Sequence, residues 1–329
     1  MPNLKDLMAA GDQPDFGETF YGVDANFRTI AQGWSKADGT GPLDLWAERN
    51  PGRVFGSGGI GGLGYATDAA ALQAAIDEMV DFRGDKLLLT PGSYSIATAL
   101  AMNVPGMRLL GPPVKHAKRA AVTVTATVDA AYTVSVDDLE IGFHAIVPLT
   151  AANFLDIASG ADRGYLHHLF YDATGVAAST STEFANSAAA LDWLVEWCSF
   201  YVDAAQGDAF TLTSSQRWLW QDCDFMVGLT TVAWASVFTF LTSALGNIAR
   251  RLYFRGTGGA TPAVFTNIFT GVADINGQLM VSDCRVDGTA LATATAIETT
   301  FGTTTDIEIA ETYQTGDATT QGGVLITLA

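Results

Sequence analysis

Two acidic residues, Asp222 and Asp224, stand two positions apart in the segment QDCDF. Hydrolysis of a glycosidic bond takes two carboxyl groups about 5–10 Å apart, one as acid and one as base or nucleophile. Residues i and i+2 of a strand share a face, so Asp222 and Asp224 are the candidate catalytic pair. His167 and His168 form a second pair, but neighbours in a strand point to opposite faces. One is expected against the core and the other in solvent, with no shared reaction centre or metal. Cys198, Cys223 and Cys284 are odd in number and show no CxxC spacing, which argues against a disulfide framework or a zinc site. No cationic neighbour marks any of them as a reactive thiol, and no metal or cofactor is expected. Trp193, Trp197, Trp218 and Trp220 crowd into one stretch. Their flat apolar faces suit a sugar-binding platform or a subunit interface, where tryptophan is enriched.

What must position these side chains is a repeat. An aliphatic residue opening a strand-like stretch recurs at Leu109, Leu139, Leu166, Leu194, Leu219, Leu252, Leu279 and Ile307, in steps of 30, 27, 28, 25, 33, 27 and 28 residues. A period in this range marks a solenoid, whose units bury their apolar faces only by stacking. Counted from these anchors, Glu196 is at +2, Asp222 at +3, Asp283 at +4 and Asp224 at +5. Acids at unequal offsets do not stack, and Arg250, Arg251 and Arg255 follow one repeat after Asp222, so paired surface charges are the simpler role. Cys198 and Cys223 share offset +4 and are expected to stack as small buried residues, whereas Cys284 sits at +5.

The repeat begins late. Residues 1–55 form an arm bearing Phe16, Phe20, Tyr21, Phe27, Trp34 and Trp46, too aromatic for a free tail. The glycine-rich stretch 56–66 reads as a hinge. The arm either docks on a partner particle or packs on its own solenoid, which occupies 67–329. Residues 67–82 read as a capping helix: Thr67 can cap it, Asp68 suits its first turn, and Ala69, Leu72, Ile76, Met79 and Val80 form its apolar stripe. The tripeptide Arg83-Gly84-Asp85 that follows is an adhesion motif elsewhere and here a helix stop. A strand, a turn at Pro91-Gly92 and a second strand come next. From Phe225 to Ala249 no residue is charged, yet its β-branched and aromatic residues suit strands of the array better than a membrane helix.

The run D-x-A-A-L-Q-A-A-I-D (Asp68 to Asp77), the segment P-G-x-Y-x-I (Pro91 to Ile96) and the strand closing on Gly111-Pro112 resemble the start of pectate-lyase-like proteins. That group of right-handed parallel β-helices includes many phage tailspikes. The resemblance implies an all-β right-handed parallel β-helix of about eight rungs behind the helix. It also implies either a polysaccharide lyase or hydrolase or a purely structural virion protein, since fold does not settle function. A lyase would need an arginine or lysine base and carboxylates to hold Ca²⁺. The Gly-His-Gly element of the polygalacturonase branch is missing.

The 329 residues carry 17 basic and 35 acidic side chains, a net charge of −18. Phosphate backbones and anionic lipid surfaces repel such a chain, so nucleic acid and membrane are excluded as partners. A basic-then-apolar leader and an Asn-x-Ser/Thr sequon are both missing. The reading that joins these features is a phage virion protein assembled in the host cytoplasm: a head decoration, vertex spike or small tail spike. It would be homotrimeric, held to capsid or tail proteins by its arm. The alternative is a depolymerase acting on host surface polysaccharide.

Overall fold

The computed structural model describes residues 30–32, 44–47, 306–310 and 313–315, and 67–287 apart from 78, 90, 151–152, 174–175, 177–183, 203–205, 228–233, 243–244, 257–264 and 272–277. Strands β1 (Ile30–Gln32) and β2 (Asp44–Ala47) precede helix α1 (Asp68–Asp77). Each later turn is three short strands. These are β3–β5 (Lys86–Leu89, Gly92–Ile96, Leu100–Met102), β6–β8 (Arg108–Leu110, Val122–Ala126, Tyr132–Val134) and β9–β11 (Glu140–Gly142, Ala145–Pro148, Leu155–Ile157). They continue as β12–β14 (Tyr165–His167, Phe170–Asp172, Ala185–Ala188) and β15–β17 (Leu194–Glu196, Ser199–Val202, Gln206–Thr213). The last complete turns are β18–β20 (Leu219–Gln221, Asp224–Val227, Trp234–Phe240) and β21–β23 (Asn247–Arg250, Tyr253–Gly256, Phe265–Gly271). Two strand pairs follow, β24–β25 (Gln278–Ser282, Arg285–Asp287) and β26–β27 (Asp306–Ala310, Tyr313–Thr315).

Corresponding strands pair in parallel along the axis, giving three sheets. Sheet A holds the first strand of each turn, sheet B the second and sheet C the third. The chain is the parallel β-helix expected, with seven complete turns among the described residues where about eight rungs were read. Strand β2 pairs in parallel with β3, and β1 runs antiparallel to β2. Part of the arm is therefore an extension of sheet A. Phe16, Phe20, Tyr21, Phe27, Trp34 and the hinge lie outside the described residues, and of Trp46 only the backbone in β2 is described.

Alternation builds the core. In β7 the sequence Val-Thr-Val-Thr-Ala buries Val122, Val124 and Ala126 and turns the threonines outward. Parallel strands lie about 4.8 Å apart, so like residues at like positions stack. Phe200, Phe225 and Phe254 do so on sheet B, with centroids 4.8 and 5.1 Å apart. Phe210, Phe238 and Phe269 do so on sheet C, at 5.4 and 5.0 Å. The uncharged stretch from Phe225 to Ala249 supplies strands of three sheets, and no described helix is long and apolar enough to cross a membrane.

The inward column of sheet A runs Leu87, Leu109, Ile141, Leu166, Val195, Trp220, Ala249 and Val281. This corrects the anchors: only Leu109 and Leu166 lie in the column, Leu139, Leu194, Leu219, Leu279 and Ile307 stand outside it, and Leu252 lies in the corner after it. The corner from sheet A to sheet B passes through one left-handed residue per turn: Phe143, His168, Trp197, Asp222, Arg251 and Asp283, with φ between 50 and 60°. That conformation is unfavourable for a side-chain-bearing residue. At the first five it persists because the N–H continues the ladder into the next turn, as from His168 to the Glu196 carbonyl (3.2 Å) and from Asp222 to that of Arg250 (3.3 Å).

Helix α1 explains its own motif. It ends at Asp77, shorter than the reading of 67–82, and Thr67 Oγ1 caps it by accepting from Ala70 N at 3.1 Å. An open strand edge needs covering. Asp68 accepts from Ser95 N of β4 at 2.7 Å, and Gln73 accepts from Ala101 N of β5 at 2.8 Å while donating to Ala101 O at 3.3 Å. Side chains of the helix thus replace a missing strand. Replacing Gln73 with alanine orphans a part-buried N–H and is expected to cost about 1–3 kcal/mol. Faster amide exchange at Ala101 would report it, and unchanged exchange there would refute it. In the RGD sequence Asp85 faces inward, taking Arg83 Nε at 2.6 Å and Val80 N at 2.8 Å, so the adhesion reading fails on burial.

Candidate functional site

The densest group of titratable side chains lies on the outer face of sheet A. First and third residues of each short strand point outward while the middle one enters the core. Glu140 of β9 meets two cationic or imidazole groups: Arg108 Nε at 3.2 Å from β6 and His167 Nε2 at 3.0 Å from β12. His167 is 4% exposed although it faces outward. Its ring lies flat over Gly142, where a Cβ would sit 2.4 Å from the imidazole. Tyr165 stacks on the His167 ring at 4.3 Å, and its hydroxyl donates to Glu196 of β15. Gln221 of β18 donates to the other Glu196 oxygen at 2.5 Å and accepts from Arg250 Nε of β21 at 2.8 Å. One polar track therefore crosses six turns.

Its electrostatics follow from these contacts. The His167 hydrogen bond holds Glu140 below the usual carboxylate range against the opposing effect of burial, and the Arg108 charge adds to it. Burial and then the Glu196 hydrogen bond push the Tyr165 hydroxyl up, so it stays a donor. His167 Nδ1 faces His168 Nδ1 at 3.1 Å. The arrangement is a chain of carboxylate, imidazole and imidazole able to hold a proton between fixed groups.

The residues singled out in the sequence are placed differently. Asp222 is a corner residue after β18 and Asp224 opens β19, so they do not share a strand face. Asp222 takes Arg251 through two bonds of 2.7 Å. Asp224 takes Arg255 Nη2 at 2.5 Å and Lys118 Nζ at 3.4 Å. Lys118 comes from the connection between β6 and β7, four turns away along sheet B. Asp222 and Asp283 do share one corner column despite their unequal offsets, with Arg251 between them. Opposite charges also alternate along the corner before sheet A, where Arg163 binds Asp138 at 2.8 Å and Arg217 binds Asp192 at 2.6 Å.

His167 and His168 are not divided as expected. The left-handed corner at His168 rotates its ring back toward its neighbour. The four tryptophans do not make one face either. Trp193, Trp218 and Trp220 are buried in the coil, and only Trp197, at a corner, is exposed (52%). Three of the four therefore offer no surface to a sugar or a subunit. Cys198, Cys223 and Cys284 are all buried, and each donates to the carbonyl two residues before it, so the three occupy equivalent positions. Burial raises the Cys223 thiol, and that of Cys284 to about 11. Among the described residues no group of three or more His, Cys, Asp or Glu could hold a metal ion.

The sequence reading passed over Glu140 and Tyr165. The available signal was spacing: Glu140 precedes His167 by 27 residues and Glu196 follows Tyr165 by 31, about one turn each.

The fold and this face define a three-sheet parallel β-solenoid whose outer surface carries an axial polar network. No protein-family model matches the chain, and no curated protein does. Among solved structures it is similar to a pectin methylesterase in complex with a hexasaccharide, with a TM-score of 0.44 and 10% identity over 85% of this chain and 94% of that one. It is also similar to ybhc of Escherichia coli, at TM-score 0.43 and 12% identity over 96% and 94%. ORF18 of Geobacillus virus E2 matches at TM-score 0.27 and 11% identity over 95% and 73%.

Proposed function

We propose that this chain is a structural protein of a bacteriophage particle, a head decoration, vertex spike or small tail spike, joined to capsid or tail proteins through its N-terminal segment. The observation that carries this reading is the state of the acids. Asp222, Asp224, Glu140 and Glu196 are each held by donors from neighbouring turns. Carboxylates committed in this way hold turns together and are poorly placed to exchange protons with a substrate. The resemblance of residues 67–112 to a group that includes tailspikes supports the same reading. A homotrimer would cover the long solenoid flanks by closed symmetry.

Electron microscopy of intact particles with a labelled antibody is expected to place the protein on the shell or tail, and its absence from purified particles would overturn the proposal. Light scattering on the purified chain should return three times the monomer mass; a monomer at micromolar concentration would remove the trimer.

A second reading, a depolymerase of host surface glycan, is favoured by the chain from Glu140 through His167 to His168 beside Glu196. Purified protein is expected to leave host polysaccharide uncleaved. If it shortens the glycan, loss of activity in Glu140→Gln would assign the reaction to sheet A. Loss in Asp222→Asn or Asp224→Asn would assign it to the sequence-derived pair.

A further inference from the structure

Sheet C carries hydroxyl groups on its outer face. Thr211 of β17 pairs in register with Thr239 of β20, and Thr239 with Thr270 of β23. Just ahead of them the alternation of each strand breaks: Ala209-Phe210, Val237-Phe238 and Ile268-Phe269 are each two consecutive buried residues. Such a break bends a strand, so the residue before the pair reaches the same side as the threonine after it. One contact shows this directly, since Ser236 Oγ of β20 lies 2.6 Å from Thr270 Oγ1 of β23. One turn earlier Asp208 takes the place of Ser236 and Thr239 that of Thr270. Asp208 is therefore set among Thr211 of its own strand and Ser236 and Thr239 of the next. Burial pushes its carboxyl up, and Thr239, Ser236 and Thr211, in that order, pull it back. Among the described residues no lysine, arginine or histidine contributes.

The two threonines supply a second, independent sign. Thr211 and Thr239 are each 7% exposed, yet the hydroxyl oxygen of each is buried without a hydrogen-bond partner. A buried hydroxyl left unpaired is costly, and a buried carboxylate without a counter-charge costs more. Both hydroxyls stand near enough to act on Asp208 without bonding to it, as oxygens do around a shared ion at about 2.3–2.6 Å from each. We propose that Asp208, Thr211, Ser236 and Thr239 bind a monovalent hard cation, sodium, on the outer face of sheet C. All the ligands are oxygens, which suits a hard cation and not zinc or copper. Charge selects the valence: one carboxylate balances one positive charge, whereas calcium takes about 6–8 oxygens, commonly from several carboxylates. Asp208 is partly exposed, which leaves the ion a route in and room for water as a further ligand. Bound there, the ion ties β17 to β20.

Thermal unfolding of the full chain in sodium chloride, compared with N-methyl-D-glucamine chloride at the same ionic strength, tests this. Sodium is expected to raise Tm by about 2–4 °C, and Asp208→Asn should abolish the difference. Thr239→Val gives the sharper result, because it removes an unbonded hydroxyl at nearly unchanged volume. Without sodium it should unfold at or above the Tm of the unaltered chain, and sodium should raise its Tm less. A threonine that only held the fold would instead cost the variant the same stability in both salts. That equal loss, equal Tm values for the unaltered chain in the two salts, or a shift that survives in Asp208→Asn would overturn the proposal. A larger shift in calcium chloride at matched ionic strength would overturn the assignment to a monovalent ion.

Discussion

Replacing Trp220 with alanine is expected to destabilise the protein by about 3–5 kcal/mol, the range for emptying a large aromatic site in a packed core, and Trp220→Phe by much less. Trp220 is fully buried at the centre of the inward column of sheet A. It touches Phe210 at 5.9 Å, Phe238 at 4.9 Å, Trp218 at 5.5 Å and Phe240 at 6.4 Å between ring centres. Those neighbours belong to sheet C and to the corner before β18, so they cannot close over a void without breaking two strand registers. The indole N–H of Trp220 is buried with no hydrogen-bond partner. Phenylalanine fills most of the space and removes an unsatisfied donor, which offsets part of the lost contact. Trp218 and Trp193 differ, because their indoles donate to the carbonyls of Ala190 (3.0 Å) and Ala161 (2.7 Å) in the preceding turn. Urea unfolding should therefore rank Trp220→Phe as milder than Trp218→Phe. The opposite order would show that packing, and not hydrogen bonding, separates these positions.

Gly164→Ala is expected to destabilise the protein by about 1–3 kcal/mol through overpacking. Its Cβ would lie 2.4 Å from Trp193 ring carbons. The ring has nowhere to go: it is 1% exposed, its nitrogen is tied to Ala161, and it stacks on Trp218 at 5.3 Å and 13°. Glycine is required here for room alone. A double-mutant cycle with Trp193→Leu separates this clash from any general intolerance of alanine. The methyl should cost markedly less once the indole is gone, and additive effects would defeat the explanation. The same logic applies at Gly142, where the occupant of the space is the His167 imidazole.

The two outcomes also measure how far each part of the fold was legible. Capping by Thr67, the strands after it and the solenoid itself follow from local rules, since propensity, alternation and period act over a few residues or one turn. Gln73 and Asp68 stood in the motif that suggested the family, but their task of closing the edges of β4 and β5 is visible only once those edges lie beside the helix. The candidate site was read less well. The pair Asp222 and Asp224 looked like two residues of one strand because nothing local marks Asp222 as a left-handed corner. That conformation is stabilised by a hydrogen bond to Arg250, a full turn ahead. The unequal acid offsets had the same origin, since aliphatic residues from strands and corners were counted as one series.

The sequence by itself determined the repeat, the strongly acidic charge and the helix that precedes the three-strand turns, because these are properties of order and composition. Tertiary structure alone decided which residues share a column. It carried three of the four tryptophans into the core and turned His168 back against His167. It also set Glu140, His167, Tyr165 and Glu196 on one outer face. The physical reason is that in a solenoid a neighbour is chosen by interstrand pairing about one turn away. A shift of one residue in a corner, invisible in the chain, moves the side chains of the strand that follows to the opposite face.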